Sequence, residues 1–186
     1  MRKFIWLFGL FLTVSAVAQD FPKFEVFGGY SYDHRSVGNE GLGFHGGSTS
    51  FLYNPNSLIG FKADFGVYHN KSFGTKSTTF TYLFGPQFTY RGNEHVTPFF
   101  HILVGGAHDT SSFAGVSSPG ISNSSVSSSA NAFAFAPGGG LDVNVSPHIA
   151  IRVAQVDYLL TKFKDDEDNR QNNVRVSAGI VFRWGK

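Results

Sequence analysis

The segment from Asn172 to Trp184 sets Val174, Val176, Ala178, Ile180, Phe182 and Trp184 on one side and Asn173, Arg175, Ser177, Gly179 and Arg183 on the other. A period of two is the signature of a β-strand, whose successive side chains point to opposite faces. One face is wholly apolar and ends in two aromatics; the other carries two arginines. A soluble sheet leaves such charges in water, so the rest of the chain must explain where the arginines go.

Upstream of this ending the chain supplies seven more segments of roughly 10 to 15 residues, against about 9 to 11 that cross a bilayer at a tilt. The first runs from Phe24 to Asp33, with Phe24, Val26, Tyr30 and Tyr32 on the apolar side and Glu25, Gly29 and Ser31 opposite; the second, Gly41 to Tyr53, alternates less clearly. Leu58 to His69 sets Ile59, Phe61, Ala63, Phe65 and Val67 against Lys62, Asp64 and Gly66, and Thr78 to Arg91 sets Phe80, Tyr82, Phe84, Phe88 and Tyr90 against Thr79, Thr81, Gln87, Thr89 and Arg91. Val96 to Asp109 opposes Phe100, Ile102 and Val104 to His101 and Gly105, while Ala130 to Val145 opposes Phe133, Phe135, Leu141, Val143 and Val145 to small residues, Asp142 and Asn144. In His148 to Phe163 the phase shifts: Ile149, Ile151 and Val153 oppose Arg152, then Val156, Tyr158 and Leu160 oppose Asp157. One extra residue near Ala154, a β-bulge, produces that shift.

Connections alternate in length. Asn54 to Ser57, Arg91 to Glu94 and Ser146 to His148 are compact and rich in turn formers, whereas His34 to Glu40, Asn70 to Thr75, Thr110 to Ser129 and Lys164 to Gln171 are longer. Short turns on one side and long loops on the other are the pattern of a membrane barrel. The expected fold is therefore all-β: an eight-stranded, antiparallel, up-and-down transmembrane β-barrel.

A secreted soluble barrel also alternates, and the two differ in which face is inside. Eight strands enclose a lumen just filled by side chains, too narrow for the aromatic face, so the phenylalanines and tyrosines are expected to face lipid. The inward set then contains Glu25, Lys62, Asp64, Arg91, His101, Asp142, Arg152, Asp157, Arg175 and Arg183. Five of these are firmly positive and four negative. Buried ions persist when paired and hydrogen-bonded, so this near-balance implies a lumen filled by paired charges, with a narrow pore for small solutes or ions as the alternative.

The other terminus bears on compartment. Arg2 and Lys3, an apolar stretch from Phe4 to Val14, and Ala16-Val17-Ala18 read as a secretory signal over 1–18 cleaved after Ala18, leaving a single barrel domain over 19–186. The apolar run is shorter than the roughly 20 residues of a spanning helix, and the cleavage site has no cysteine for lipid attachment; with no cysteine anywhere, disulfides and thiolate metal sites are excluded. Removing Arg2 and Lys3 from 15 basic residues leaves 13 against 13 acidic ones, so a nucleic-acid partner is not expected. Phe at 21 and Gly at 22 against a single Met suit twisted strands rather than helices.

The segments Phe27 to Tyr32, Gly60 to Phe65, Leu83 to Phe88, Gly138 to Val143, Val156 to Thr161 and Ser177 to Arg183 together resemble the small OmpA-like, porin-like outer-membrane β-barrel proteins of Gram-negative bacteria. The resemblance spans the mature chain. It implies export through the periplasm to the outer membrane, contact with outer-membrane lipid and lipopolysaccharide, and recognition by the barrel-assembly machinery of a C-terminal signal carried by Ile180, Phe182 and Trp184. The peptidoglycan-binding domain that follows the barrel in larger OmpA proteins has no counterpart before Lys186, so that role is not carried over.

Other features resemble sites without the context a site needs. Gly138 to Gly140 is followed by a strand rather than the helix of a phosphate-binding loop, and reads as close strand packing. Asp165 to Asp168 lacks the spacing of a calcium loop and reads as a solvated acidic loop. The seven histidines show no i, i+2 or i, i+4 pair, the spacing expected of zinc ligands. No nucleophile has a His and a carboxylate near it in sequence. The expectation is a protein with no catalytic residues, cofactor or metal, in a structural or surface-interaction role whose outer-loop ligand the sequence does not specify.

Overall fold

The structure is a computed structural model that describes residues 21–37, 40–72, 75–113, 126–163 and 170–185. The segment 1–18, the acidic loop 165–168 and the tip of the serine-rich loop at 114–125 lie outside the described residues. Eight strands follow in chain order: β1 (Phe24–Val37), β2 (Glu40–Tyr53), β3 (Ile59–Ser72), β4 (Thr75–Thr89), β5 (Val96–Phe113), β6 (Val126–Ser146), β7 (Ile149–Phe163) and β8 (Arg170–Trp184). Each pairs antiparallel with the next, and β8 returns to β1 from Phe24↔Trp184 to Arg35↔Asn173, closing an up-and-down barrel. Closure removes every free edge, which is why strands alone can span a bilayer.

The short turns fall where the sequence places them, but the opposite ends differ. Where they are described, the expected loops at His34 to Glu40, Asn70 to Thr75, Thr110 to Ser129 and Lys164 to Gln171 continue the strands: β5 and β6 stay in register out to Phe113↔Val126, and β3 and β4 to Ser72↔Thr75. The hydropathy period fades there, while the backbone ladder continues without it. Arg91 and His148, at the shared limits of the expected strands and turns, lie in the turns.

Outward positions are aromatic or aliphatic and open: Phe61 and Phe133 are each 60% exposed and Phe182 51%. Apart from the far ends of β3, β4, β7 and β8, none of these outward positions among the described strand residues holds Asp, Glu, Lys or Arg. A continuous apolar girdle of this size is a lipid-facing surface rather than a soluble one. Inside, Leu83, Leu103, Ala134, Ala136 and Leu159 form one buried apolar cluster and Phe27, Ala150 and Val181 another.

One expectation is overturned. Phe27, Phe44, Phe99 and Tyr68 face the interior and are at most 6% exposed. The lumen takes them because each meets a cation or its partner: the Arg35 guanidinium lies 3.9 Å over the Phe44 ring, and Arg152 sits 4.5 Å from the Phe27 centroid and 4.3 Å from that of Phe99. An aromatic face attracts a desolvated guanidinium. Strand-phase reasoning also bears on β7. The ladder shifts register between Arg152 and Gln155, leaving Val153 and Ala154 both exposed before Asp157 turns inward again.

The barrel seam is tight where β1 meets β8. Gly29 and Gly179 are register partners, and a Cβ on Gly179 would meet the backbone of Gly28 and Gly29, whereas one on Gly28 meets nothing within 4 Å. Gly179→Val is expected to destabilise the barrel by about 1–3 kcal/mol through overpacking, and Gly28→Val to stay within about 0.5 kcal/mol. Unfolding midpoints in detergent decide this; equal shifts for the two variants would contradict the seam geometry.

Candidate functional site in the barrel lumen

All ten charged or imidazole side chains singled out in the sequence project into the lumen, nine of them from strands and Arg91 from the β4–β5 turn. They fall into tiers along the barrel axis. At the end bearing the short turns, Glu25 of β1 accepts from Arg91 Nη2 (2.6 Å), Arg183 Nε (3.0 Å) and Asn54 Nδ2 (2.9 Å). Arg91 also donates to the Ser57 carbonyl and Arg183 to the Asn144 side-chain oxygen. Burial pulls the Arg91 guanidinium below its ordinary pKa while the Glu25 carboxylate opposes the shift; a guanidinium stays charged regardless. A mouth of about 480 Å³ opens beside them, lined in part by Arg91, His95, Asn144 and Arg183.

Arg183 Nη2 reaches Asp142 at 3.1 Å and so links this tier to the next. Arg152 grips Asp142 with two parallel bonds of 2.8 and 3.1 Å, the fork geometry that makes arginine–carboxylate pairs strong. This pairing needs the β7 bulge, because the β6–β7 ladder sets Asp142 against Arg152 only after its own register shift. Gln155, absent from the inward set read from sequence, then bridges. It accepts from Arg152 Nη1 at 2.8 Å and from Lys62 Nζ at 3.2 Å, and donates to Asp157 Oδ2 at 2.8 Å.

The central tier is built on Arg175, which is fully buried. Its Nη1 lies 2.8 Å from Asp64 Oδ1 and 3.1 Å from the Tyr68 hydroxyl, and its Nη2 2.6 Å from Asp157 Oδ2. Lys62 Nζ sits 3.6 Å from Asp64 Oδ2 and 3.5 Å from His101 Nδ1. Because an ammonium can only donate, His101 Nδ1 accepts and its Nε2–H donates to Asp157 Oδ1 at 2.7 Å. His101 and Asp157 thus meet as a catalytic pair would, but their hydrogen-bonding neighbours are Lys62, Gln155 and Arg175, none of them a hydroxyl nucleophile.

Sequence reasoning missed a third tier towards the other end of the barrel. Arg35 Nε donates to Asp33 Oδ2 at 2.8 Å and its Nη1 to Asp109 Oδ2 at 3.2 Å, while Ser77 and Thr79 each donate to Asp109 at 2.9 Å. Extending the parity of Glu25 and Ser31 along β1, and of His101 and Gly105 along β5, finds all three charges. With them the paired set has six cations, Arg35, Lys62, Arg91, Arg152, Arg175 and Arg183, and six anions, Glu25, Asp33, Asp64, Asp109, Asp142 and Asp157.

Phe182, Ile180 and Trp184 lie on the opposite, outward face of β8, with Trp184 stacked on Phe24 across the seam at a centroid distance of 6.1 Å. No cluster of three or more His, Asp or Glu side chains among the described residues has the geometry of a metal site.

No family model matches the chain, and neither does any curated protein. Solved structures do. Neisserial surface protein A (NspA) superposes with a TM-score of 0.68 at 14% identity, over 89% of this chain and 100% of that one. Ail, the attachment invasion locus protein of Yersinia pestis, in complex with the heparin analogue sucrose octasulfate, gives 0.62 at 22% identity over 88% and 100%. The outer membrane protein OprG from Pseudomonas aeruginosa gives 0.52 at 10% identity over 90% and 98%. The chain has the fold of the small outer-membrane β-barrels.

Proposed function

We propose that this protein is exported, through a signal at 1–18, to the outer membrane of a Gram-negative bacterium, where it is a closed, non-catalytic barrel that acts through its surface. The observation that carries this reading is the lumen: six cations and six anions paired tier by tier across the barrel. Unpairing any of these ions to admit a solute leaves a desolvated charge, at a cost of several kcal/mol. A plug of this kind supports a structural or interaction role in which the barrel is a rigid scaffold and recognition happens where the strands leave the membrane. The heparin analogue held by Ail is an example of ligand binding on this architecture. In this reading the outward girdle meets outer-membrane lipid and lipopolysaccharide, and Ile180, Phe182 and Trp184 are read by the assembly machinery.

Single-channel recording of the refolded mature protein in a planar bilayer, after heat-modifiable migration on a gel establishes folding, tests the closed lumen. A folded, silent barrel is expected. Steady openings would make the protein a narrow pore for small solutes or ions and reassign the charged tiers to its wall.

A further inference from the structure

Four of the chain's histidines lie at outward strand positions near the outer limit of the girdle. His34 comes ten residues after Phe24 on β1, His45 eight before Tyr53 on β2, His69 ten after Ile59 on β3, and His108 twelve after Val96 on β5. Since about 9 to 11 residues cross the bilayer, all four fall where acyl chains give way to headgroups. We propose that His34, His45, His69 and His108 form an acid-strengthened binding surface for the phosphate of outer-leaflet lipid headgroups. The proposal rests on the outer-membrane reading above but not on whether the lumen conducts.

Three of the rings are held in one way. Nδ1 of His45 bonds Tyr30 Oη, Nδ1 of His69 lies 3.0 Å from Thr78 Oγ1, and Nδ1 of His108 lies 2.7 Å from Asn131 Oδ1. Each partner belongs to the neighbouring strand, so the cross-strand bond fixes the ring and leaves Nε2 with no hydrogen-bond partner among the described residues. Facing an amide oxygen, the His108 Nδ1 donates, so in the neutral ring its Nε2 is an acceptor and repels a phosphate oxygen. Protonation turns Nε2 into a charged donor, and charge-assisted bonds to phosphate are the strong ones. Imidazole is the side chain that makes this change between about pH 5 and 8.

The surroundings favour an anion. His45 faces Tyr30 and Tyr32 on β1 and His69 on β3; His69 faces His45 and Thr78; His34 meets Tyr32, Gly43 on β2 and Val174 on β8; His108 faces Phe80 on β4 and Asn131 on β6. No carboxylate occupies an outward strand position among the described residues. Further out along β3 and β4, Lys71 and Lys76 are register partners.

The test is equilibrium binding of fluorescent phosphatidylglycerol to the folded barrel in neutral-detergent micelles at about pH 8 and about pH 5.5. Its phosphodiester keeps one charge across that range, so any change belongs to the protein. Binding is expected to tighten about tenfold at the lower pH, in line with the attraction of an anionic lipid surface for a few added cations. Phosphatidylcholine, whose phosphate is offset by its own choline, is expected to show no such gain. The H34Q/H45Q/H69Q/H108Q variant should keep its binding at the higher pH and lose the acid gain; where that variant fails to fold, H45Q/H69Q and H34Q/H108Q should each lose part of it. A variant that retains the full gain, or a wild type that shows none, overturns the proposal. Displacement by lipid A at lower concentration than by phosphatidylglycerol assigns the surface to lipid A phosphates; equal potency assigns it to phospholipid. Displacement by inorganic phosphate alone as readily as by lipid makes it a free-anion site and overturns the lipid assignment.

Discussion

Replacing Arg175 with alanine is expected to lower the stability of the folded barrel by about 3–5 kcal/mol, the cost of stripping one partner from a buried ion cluster. The side chain is fully buried and holds Asp64, Asp157 and the Tyr68 hydroxyl at once. Its loss leaves two carboxylates facing one another in the lumen, with Lys62 the nearest remaining cation to Asp64. The denaturant midpoint in detergent measures the effect. The companion variant K62M/R175L/D64N/D157N removes two cations and two anions together and should recover much of the loss, because a neutral hydrogen-bonded cluster carries no unpaired ion. An unchanged midpoint for Arg175→Ala would count against the paired lumen, and with it against the plug as the reason for a silent barrel.

The second large effect is expected in cells rather than in the test tube. Phe182 and Trp184 are 51% and 43% exposed and point away from the lumen, whereas their neighbour Val181 is wholly buried. Removing the two aromatic rings therefore costs the interior no packing. F182A/W184A should refold in detergent with heat-modifiable migration intact, yet its level in the outer membrane should fall to background if these residues are the handle read during assembly. Val181→Ala should behave in the opposite way, weakening the refolded barrel through a cavity while leaving targeting intact. Normal outer-membrane levels of F182A/W184A would remove the C-terminal aromatics from that role.

The eight strands were legible because lipid on one side and a polar lumen on the other impose a period of two on nearly every segment. β2 was the faint one for a reason visible in its inner face. Phe44, Gly46, Ser48, Ser50 and Leu52 point inward there without a charge among them, so neither face announces itself. The inward charges could be read from parity alone, and extending that parity by one or two residues finds Asp33, Arg35 and Asp109 as well. Parity does not say which charge meets which. Asp157 and Arg175 are register partners on neighbouring strands, but their union with Asp64 depends on β3 facing β7 and β8 across the lumen, and Gln155 enters only through the bulge at Val153 and Ala154. Size reasoning failed for Phe27, Phe44 and Phe99 because it treated an aromatic ring as bulk alone, when in this lumen the ring is a partner for guanidinium.

Two of the ion pairs made by β8 join residues far apart in the chain: Arg183 and Glu25 are separated by 158 positions, Arg175 and Asp64 by 111. A sheet without β8 therefore leaves its pairing unfinished, since Asp64 and Asp157 lack Arg175 and Glu25 and Asp142 lack Arg183 until the last strand arrives. Hydrocarbon tolerates unpaired ions poorly, so an unclosed intermediate is barred from the bilayer interior. Long sequence separations also slow the search for the native arrangement. The arrival of β8 thus does two things at once: it closes the ring of strands and completes the neutralisation of carboxylates on β1, β3, β6 and β7.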